Sequence, residues 1–446
     1  MISDRKSQRG VAVIVFVVIV AMMTFTTIYT KYTDQTIARM RESKTSVALQ
    51  KAKEALIYYS LRNEYLNSVC VSNTNCARPG DLPCPDETND GIAETSCGSV
   101  TGSNQSTRLN RLPWRTLDLG DLTDGNGERL WYAVSNNYKN NTRTLPLNSN
   151  TVGTITVRDS AGRVVYDATT GGGVVAVILS AGNTILRQDG IVQNRSGLGL
   201  NVASNYLDNA NGEDNDVFVD GGLNGFIFGP VKNGNGDLIL NDRLIIITRD
   251  EMAAAMETYV LTQVRKELLE YYSSFAYYPY PALFNDVSCI STVNADITVG
   301  CNSLATNHEG RIPVSNVDQA GTSWPNPTSQ TSSTSILMGS RLGNWFQQNL
   351  WRELIYYAIA PDCDISNTGC TGTTQKLTLN NATTMPTNNK NVIVISAGRA
   401  IGVQNRGVTT QLQNYYEADN LSQSDFIYNR AIATNNLLND RAMSIP

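Results

Sequence analysis

"ERLWYAVS" (Glu128–Ser135) returns as "ELIYYAIA" (Glu353–Ala360), and this recurrence decides how the larger part of the chain is read. Working outward, the match continues on both sides. Downstream, "VVAVILSAG" (Val174–Gly182) corresponds to "NVIVISAG" (Asn391–Gly398), and "QNR" follows both, at Gln193–Arg195 and Gln404–Arg406. "NYLDNANGEDNDVFV" (Asn205–Val219) aligns without a gap to "NYYEADNLSQSDFIY" (Asn414–Tyr428). This pairs Asn205 with Asn414, Tyr206 with Tyr415, Asn211 with Asn420 and Asp216 with Asp425. "LNDR" closes both series, at Leu240–Arg243 and Leu438–Arg441, and upstream "KEALIYYS" (Lys53–Ser60) returns as "KELLEYYS" (Lys266–Ser273). Matches that keep one order along the chain indicate an internal duplication.

The candidate strands are short, β-branched and separated by "GGG", "NGNG" and Asn/Thr-rich turns, as in antiparallel meanders. Each unit therefore reads as a helix covering a sheet. The second unit's helix carries its own start signal, because Thr248 and Glu251 have the spacing of a capping box. Met252, Met256, Tyr259, Val264 and Leu268 form its apolar stripe, while Glu251, Glu257, Arg265, Lys266 and Glu267 exclude a bilayer location.

The first unit is preceded by "MISDRKSQRGVAVIVFVVIVAMMTFTTIYTKYT" (Met1–Thr33). No charged residue lies between Val11 and Tyr29, and at about 1.5 Å per residue a helix of this length approaches a bilayer core of ~30 Å. The run ends without the small-residue cleavage site of a secretory signal. The segment from Asp34 to Leu66 has no Gly or Pro, and Ile37, Met40, Val47, Leu56 and Tyr59 recur at roughly helical intervals, so a single helix is expected to continue to about Leu66. Arg5, Lys6 and Arg9 place the N-terminus in the cytoplasm by the positive-inside tendency, which Lys31, Arg39 and Arg41 weaken without reversing.

"QRG" followed by an apolar helix resembles the N-terminus of type IV pilins and type II secretion pseudopilins, and "LWYAVS", "ILSAG" and the acidic loop after them more loosely resemble pseudopilin heads. The resemblance implies a leader cut by a prepilin peptidase between Gly10 and Val11. It also implies an α+β fold in which a long membrane-spanning helix precedes two tandem pilin-like units, each a helix packed on an antiparallel sheet. The corresponding divisions are a leader at 1–10, a spine helix at 11–66, a first head unit at 67–248 and a second at 249–446. The implied partners are other pilin or pseudopilin subunits, the prepilin peptidase and the inner membrane, crossed once with the head in the periplasm. The family usually has Phe or Met after the cut and glutamate at the fifth mature position, where this chain has Val11 and Val15. Pseudopilins lacking that glutamate typically sit at the filament tip. A different class of function, an inner-membrane-anchored periplasmic binding protein or adhesin that never enters a filament, remains open on the residues alone.

A net charge of −5 and a pI near 5.2 argue against nucleic-acid binding. The eight cysteines fall into sequence-local pairs: Cys70 with Cys76, Cys84 with Cys97, Cys289 with Cys301, and Cys363 with Cys370. In an oxidising compartment such pairs close short loops. Zinc is disfavoured, since there is no C-x-x-C and one histidine, His308. No nucleophile elbow, P-loop or H-E-x-x-H is present, so no enzyme is expected. Calcium is the cofactor to weigh, because hard cations take several oxygens from irregular acidic loops. "LDNANGEDND" offers Asp208, Asn211, Asp214 and Asp216, and the duplicated loop offers Glu417, Asp419, Asn420 and Asp425. A third loop, "DETNDGIAE", has Asp86, Thr88, Asp90 and Glu94 at EF-hand-like steps, with Cys97 where the bidentate glutamate should stand.

Overall fold

The computed structural model of the chain describes residues 5–62, 77–98, 108–140, 146–290, 304, 306–313, 343–373, 375–381, 384–422, 425–431 and 438–446. Two four-stranded antiparallel sheets frame it. The first contains β1 (Leu109–Arg111), β2 (Trp131–Val134), β3 (Ala176–Ser180) and β4 (Arg243–Ile247), hydrogen-bonded in that order. The second contains β5 (Glu309–Arg311), β6 (Ile355–Ile359), β7 (Val392–Ser396) and β8 (Arg441–Ile445), again in that order.

The registers coincide residue by residue. Trp131 faces Leu179 where Tyr356 faces Ile395, and Arg243 faces Ser180 where Arg441 faces Ser396. Every residue of β2, β3, β6 and β7 is buried, which is why these strands read as continuous apolar runs rather than alternating ones. A smaller three-stranded sheet accompanies each: 157–158 pairs antiparallel with 164–166 and parallel with 226–227, as 377–381 does with 384–390 and 427–430.

Helix α1 (Arg5–Leu61) packs on β3 and β4, and α2 (Arg249–Phe275) on β7 and β8. Ala48, Ala52 and Leu56 recur every fourth residue and form the buried face of α1. Met252, Met256, Val260, Val264 and Leu268 do the same for α2. Thr248 and Glu251 form the expected capping box, with the Thr248 N–H donating to Glu251 at 2.9 Å and the Glu251 N–H donating to the Thr248 hydroxyl at 3.2 Å. Each helix is tied to the last strand of its sheet by an ion pair, Arg243–Glu42 at 3.0 Å and Arg441–Glu257 at 2.8 Å. The helices also meet each other, Lys53 reaching Glu251 at 2.5 Å, and side chains from both sheets contribute to one continuous core.

The reading of the N-terminal helix as membrane-spanning is overturned, and with it the single-pass inner-membrane location. Among the described residues no helix is long and apolar enough to cross a membrane. The expected fold class is corrected accordingly. Among the described residues there are four α-helices, the other two short (Gly343–Gln348 and Trp351–Leu354), and the strands are distributed over six sheets rather than two. Helix α1 ends at Leu61, short of Leu66.

Candidate functional site

The loops that follow β3 and β7 are held to their sheets by the same polar frame in both halves. Beneath each loop lies the aspartate that precedes the last strand, Asp242 before β4 and Asp440 before β8, and both are fully buried. Oδ2 of Asp242 accepts the Asp208 N–H at 2.8 Å and Asn215 Nδ2 at 3.0 Å. Oδ2 of Asp440 accepts the Glu417 N–H at 3.1 Å and Asn420 Nδ2 at 2.9 Å. The two asparagines then close the small sheets. Asn215 accepts the Ile227 N–H at 2.8 Å and donates to its carbonyl at 3.3 Å, and Asn420 does the same with Asn429 at 2.8 and 3.2 Å.

The recurring "QNR" supplies the other side. Gln193 donates to Asp208 at 2.9 Å, and Gln404 to Glu417 at 2.7 Å. Asn205 accepts the Asn194 N–H at 3.0 Å, matched by Asn414 and Asn405 at 3.0 Å. Arg195 donates to the Gly182 carbonyl at 2.7 Å and lies over the Tyr206 ring at 4.8 Å; Arg406 donates to Gly398 at 2.8 Å and lies over Tyr415 at 4.7 Å. The glycine of "SAG" is required because the asparagine of "ND" lies against it. A Cβ on Gly182 would meet Asn241 Oδ1 at 2.7 Å, and one on Gly398 would strike Asn439.

These contacts account for the residues expected to bind calcium. Asp208 and Glu417 accept hydrogen bonds on both carboxylate oxygens, from Gln193 and the Asn241 N–H and from Gln404 and the Asn439 N–H. Asp214 and Asp216 face Arg187 at 2.7 and 3.5 Å, with Asp189 on the same guanidinium at 2.8 Å. The buried arginine thus supplies the positive charge among these carboxylates, and they raise its pKa. Burial, with Asp214 alongside, pushes Asp216 up to about 7. Asn211 points elsewhere, donating to Ser160 at 3.1 Å. In the second loop Asp419 accepts Asn429 Nδ2 at 3.0 Å, and Asp425 accepts the Ile427 N–H at 3.0 Å. Asp86 is buried and accepts the N–H groups of Asp90 and Gly91 at 3.2 and 2.7 Å, an Asx-type turn, while Asp90 accepts that of Ile92 at 2.8 Å. Among the described residues no group of three or more His, Cys, Asp or Glu is arranged to hold a metal ion.

Cys84–Cys97 and Cys363–Cys370 are bonded, with Cα separations of 5.5 and 4.4 Å. Cys289 is disulfide-bonded and buried, while Cys301 and the pair Cys70 and Cys76 lie outside the described residues. His308 is half-buried, its Nε2 3.2 Å from Asp364.

Several members of the frame escape a sequence comparison. The pairing of Asn211 with Asn420 is replaced by Asn215 with Asn420, because the first loop contains an extra two-stranded turn, 209–210 against 213–214. Arg111 and Arg311 are buried equivalents at the ends of β1 and β5. Arg111 donates to the carbonyls of Arg129 and Leu200 at 2.9 and 3.1 Å, and Arg311 to those of Phe284, Glu353 and Thr409 at 2.9, 2.9 and 2.6 Å. "PCP" (Pro83–Pro85) and "PYP" (Pro279–Pro281) are also equivalent, since Tyr132 donates its hydroxyl to Pro83 at 3.2 Å and Tyr357 donates to Pro279 at 3.0 Å. "RLP" (111–113) and "RIP" (311–313) were the available signal for the arginines.

Comparison of the chain with protein families, curated proteins and solved structures finds no match. The polar frame is built from groups that accept or donate to backbone and loop partners, an arrangement that fixes the loops in place.

Proposed function

We propose that this chain is a pilin-like structural subunit that joins a type IV pilus or type II secretion pseudopilus through its N-terminal helix, at or near the tip, and acts by assembly rather than catalysis. The observation that carries the proposal is the contrast along α1. Its C-terminal part is buried on the first sheet, whereas Ile14, Val15, Phe16, Val17, Val18, Ile19, Val20, Met22 and Met23 are all exposed. A helix apolar on every side is stable in company and not in water, and consecutive exposed residues of this kind mark an interaction surface. Equivalent helices of other subunits offer that company. Val15 stands where the resembled family carries glutamate, and a subunit at the end of a filament has one fewer neighbour to satisfy.

The leader at residues 1–10 provides the test. Co-expression with a prepilin peptidase and the partner pilins is expected to shift the intact mass by the loss of residues 1–10, with the processed chain recovered in the sheared-filament fraction. A chain that keeps its leader in cells processing a control pilin, and stays out of that fraction, contradicts the proposal.

A further inference from the structure

The two halves meet at Asn150. Its Oδ1 accepts the Ala400 N–H at 3.1 Å and Arg406 Nε at 3.4 Å, and its carbonyl accepts Arg249 at 3.0 Å. Beside this junction lies a cavity of about 380 Å³, within the ~300 to 1,000 Å³ of small-molecule sites. Comparison with the first half shows how it opens. There Glu128 pairs with Arg195 at 3.4 Å, whereas the equivalent Arg406 directs its donors to Asn150, Asn414 and Gly398, and both Arg406 and Glu353 stand on the cavity wall. Leu350, on the same wall, has a φ of 59°, a left-handed conformation that bulky residues rarely adopt, where the repeat places Gly125 in the first half. Strain retained at a cavity wall points to a use for the cavity.

The chemistry of the wall restricts what can enter. Its charges are already compensated by the protein: Glu353 is within electrostatic reach of Arg311 and Arg352, and Arg406 of Asp440 and Glu417. A charged guest would lose its hydration without gaining a counter-ion. A wholly apolar guest would seal polar wall groups away from water. Asn137 donates its Nδ2 to the Val152 carbonyl at 3.0 Å, which leaves its Oδ1 as an acceptor, and Asn150, whose Oδ1 is taken, keeps its Nδ2 as a donor. Neither of these two atoms has a hydrogen-bond partner among the described residues. Val152, Leu350 and Leu354 make much of the remaining wall apolar. A hydroxyl both donates and accepts, and a sugar ring joins several hydroxyls to apolar C–H faces.

We propose that this cavity binds one residue of an uncharged saccharide, with hydroxyls meeting Asn137 and Asn150 and C–H faces lying on Val152, Leu350 and Leu354. The site is separate from the exposed apolar stretch of α1 and uses residues of both halves, so it exists only because the duplicated units are packed together.

Calorimetry and saturation-transfer NMR of the full chain test this with glucose, galactose and N-acetylglucosamine, and with glucosamine and glucuronate as charged counterparts of the same ring. At least one neutral sugar is expected to bind once per chain with a dissociation constant on the order of 1 mM, and both charged counterparts at least about tenfold more weakly. Asn137→Ala should weaken binding about tenfold. Leu350→Trp, which fills the cavity from a half-exposed position, should abolish it. Should these variants fail to fold, the selectivity of the wild-type chain decides instead. No binding of any neutral sugar at ~10 mM, charged sugars bound as well as neutral ones, or binding undiminished in a folded Leu350→Trp chain would each overturn the proposal. A cavity that takes triglycine and none of the sugars would overturn it too, assigning the site to a peptide.

Discussion

The two halves share a frame and differ in what surrounds it. Arg311 lies in the second half with three carbonyl partners, Phe284 at 2.9 Å in addition to Glu353 and Thr409, and stacks on the Phe284 ring at 4.0 Å. Its counterpart Arg111 has two such partners and sits between Trp131 and Tyr206, at 4.1 and 4.0 Å. The helix-to-strand ion pair is buried at Glu257 but exposed at Glu42, whose side chain is 56% accessible. The first half has a long helix with an exposed apolar end, whereas the second has a helix closed by a capping box. The frame thus fixes the loops in either setting, while the two helices differ in what they leave exposed.

Removing the buried arginines should separate the halves most. Arg311→Ala leaves three buried carbonyls without their donor at ~1 to 3 kcal/mol each, so a loss of about 4 kcal/mol or more is expected by denaturant unfolding, and a smaller loss for Arg111→Ala. Equal losses would mean that ring stacking rather than carbonyl count governs the site. The ion pairs come next. Arg441→Ala strands Glu257, a carboxyl that burial already pushes up to about 7, and should cost about 3 kcal/mol, less below that pH where the group can protonate. Arg243→Ala breaks an exposed pair and should cost under about 1 kcal/mol. The smallest expected effect is at the helix start: Thr248→Ala should lower the melting temperature of the chain by the equivalent of ~1 kcal/mol. A shift within error there would show that packing alone starts α2.

Much of the frame was legible because backbone geometry repeats with local sequence. "SAG" marks the asparagine-covered glycine, "QNR" the loop clamp and "ND" the buried aspartate, each at the same register in both halves. The role of Asn215 was not legible, because an ungapped comparison cannot see that four inserted residues form a separate turn and leave the hydrogen-bonding asparagine further on. Nor could acidic spacing reveal that Arg187, from a loop longer than its counterpart in the second half, pairs with Asp189, Asp214 and Asp216. The apolar run fitted a bilayer by length in sequence, yet the helix does not meet that criterion among the described residues.

The central claim is that α1, and not α2, carries the assembly surface, and cross-linking tests it most directly. Cysteine placed at Val18 on the exposed apolar stretch of α1, or at Leu269 on the exposed face of α2, can be oxidised against cysteines on the corresponding helix of a partner pilin in assembled filaments. The account predicts a cross-linked species from Val18→Cys and none from Leu269→Cys. Cross-links from Leu269→Cys alone, or from neither position in filaments that contain the chain, would contradict it.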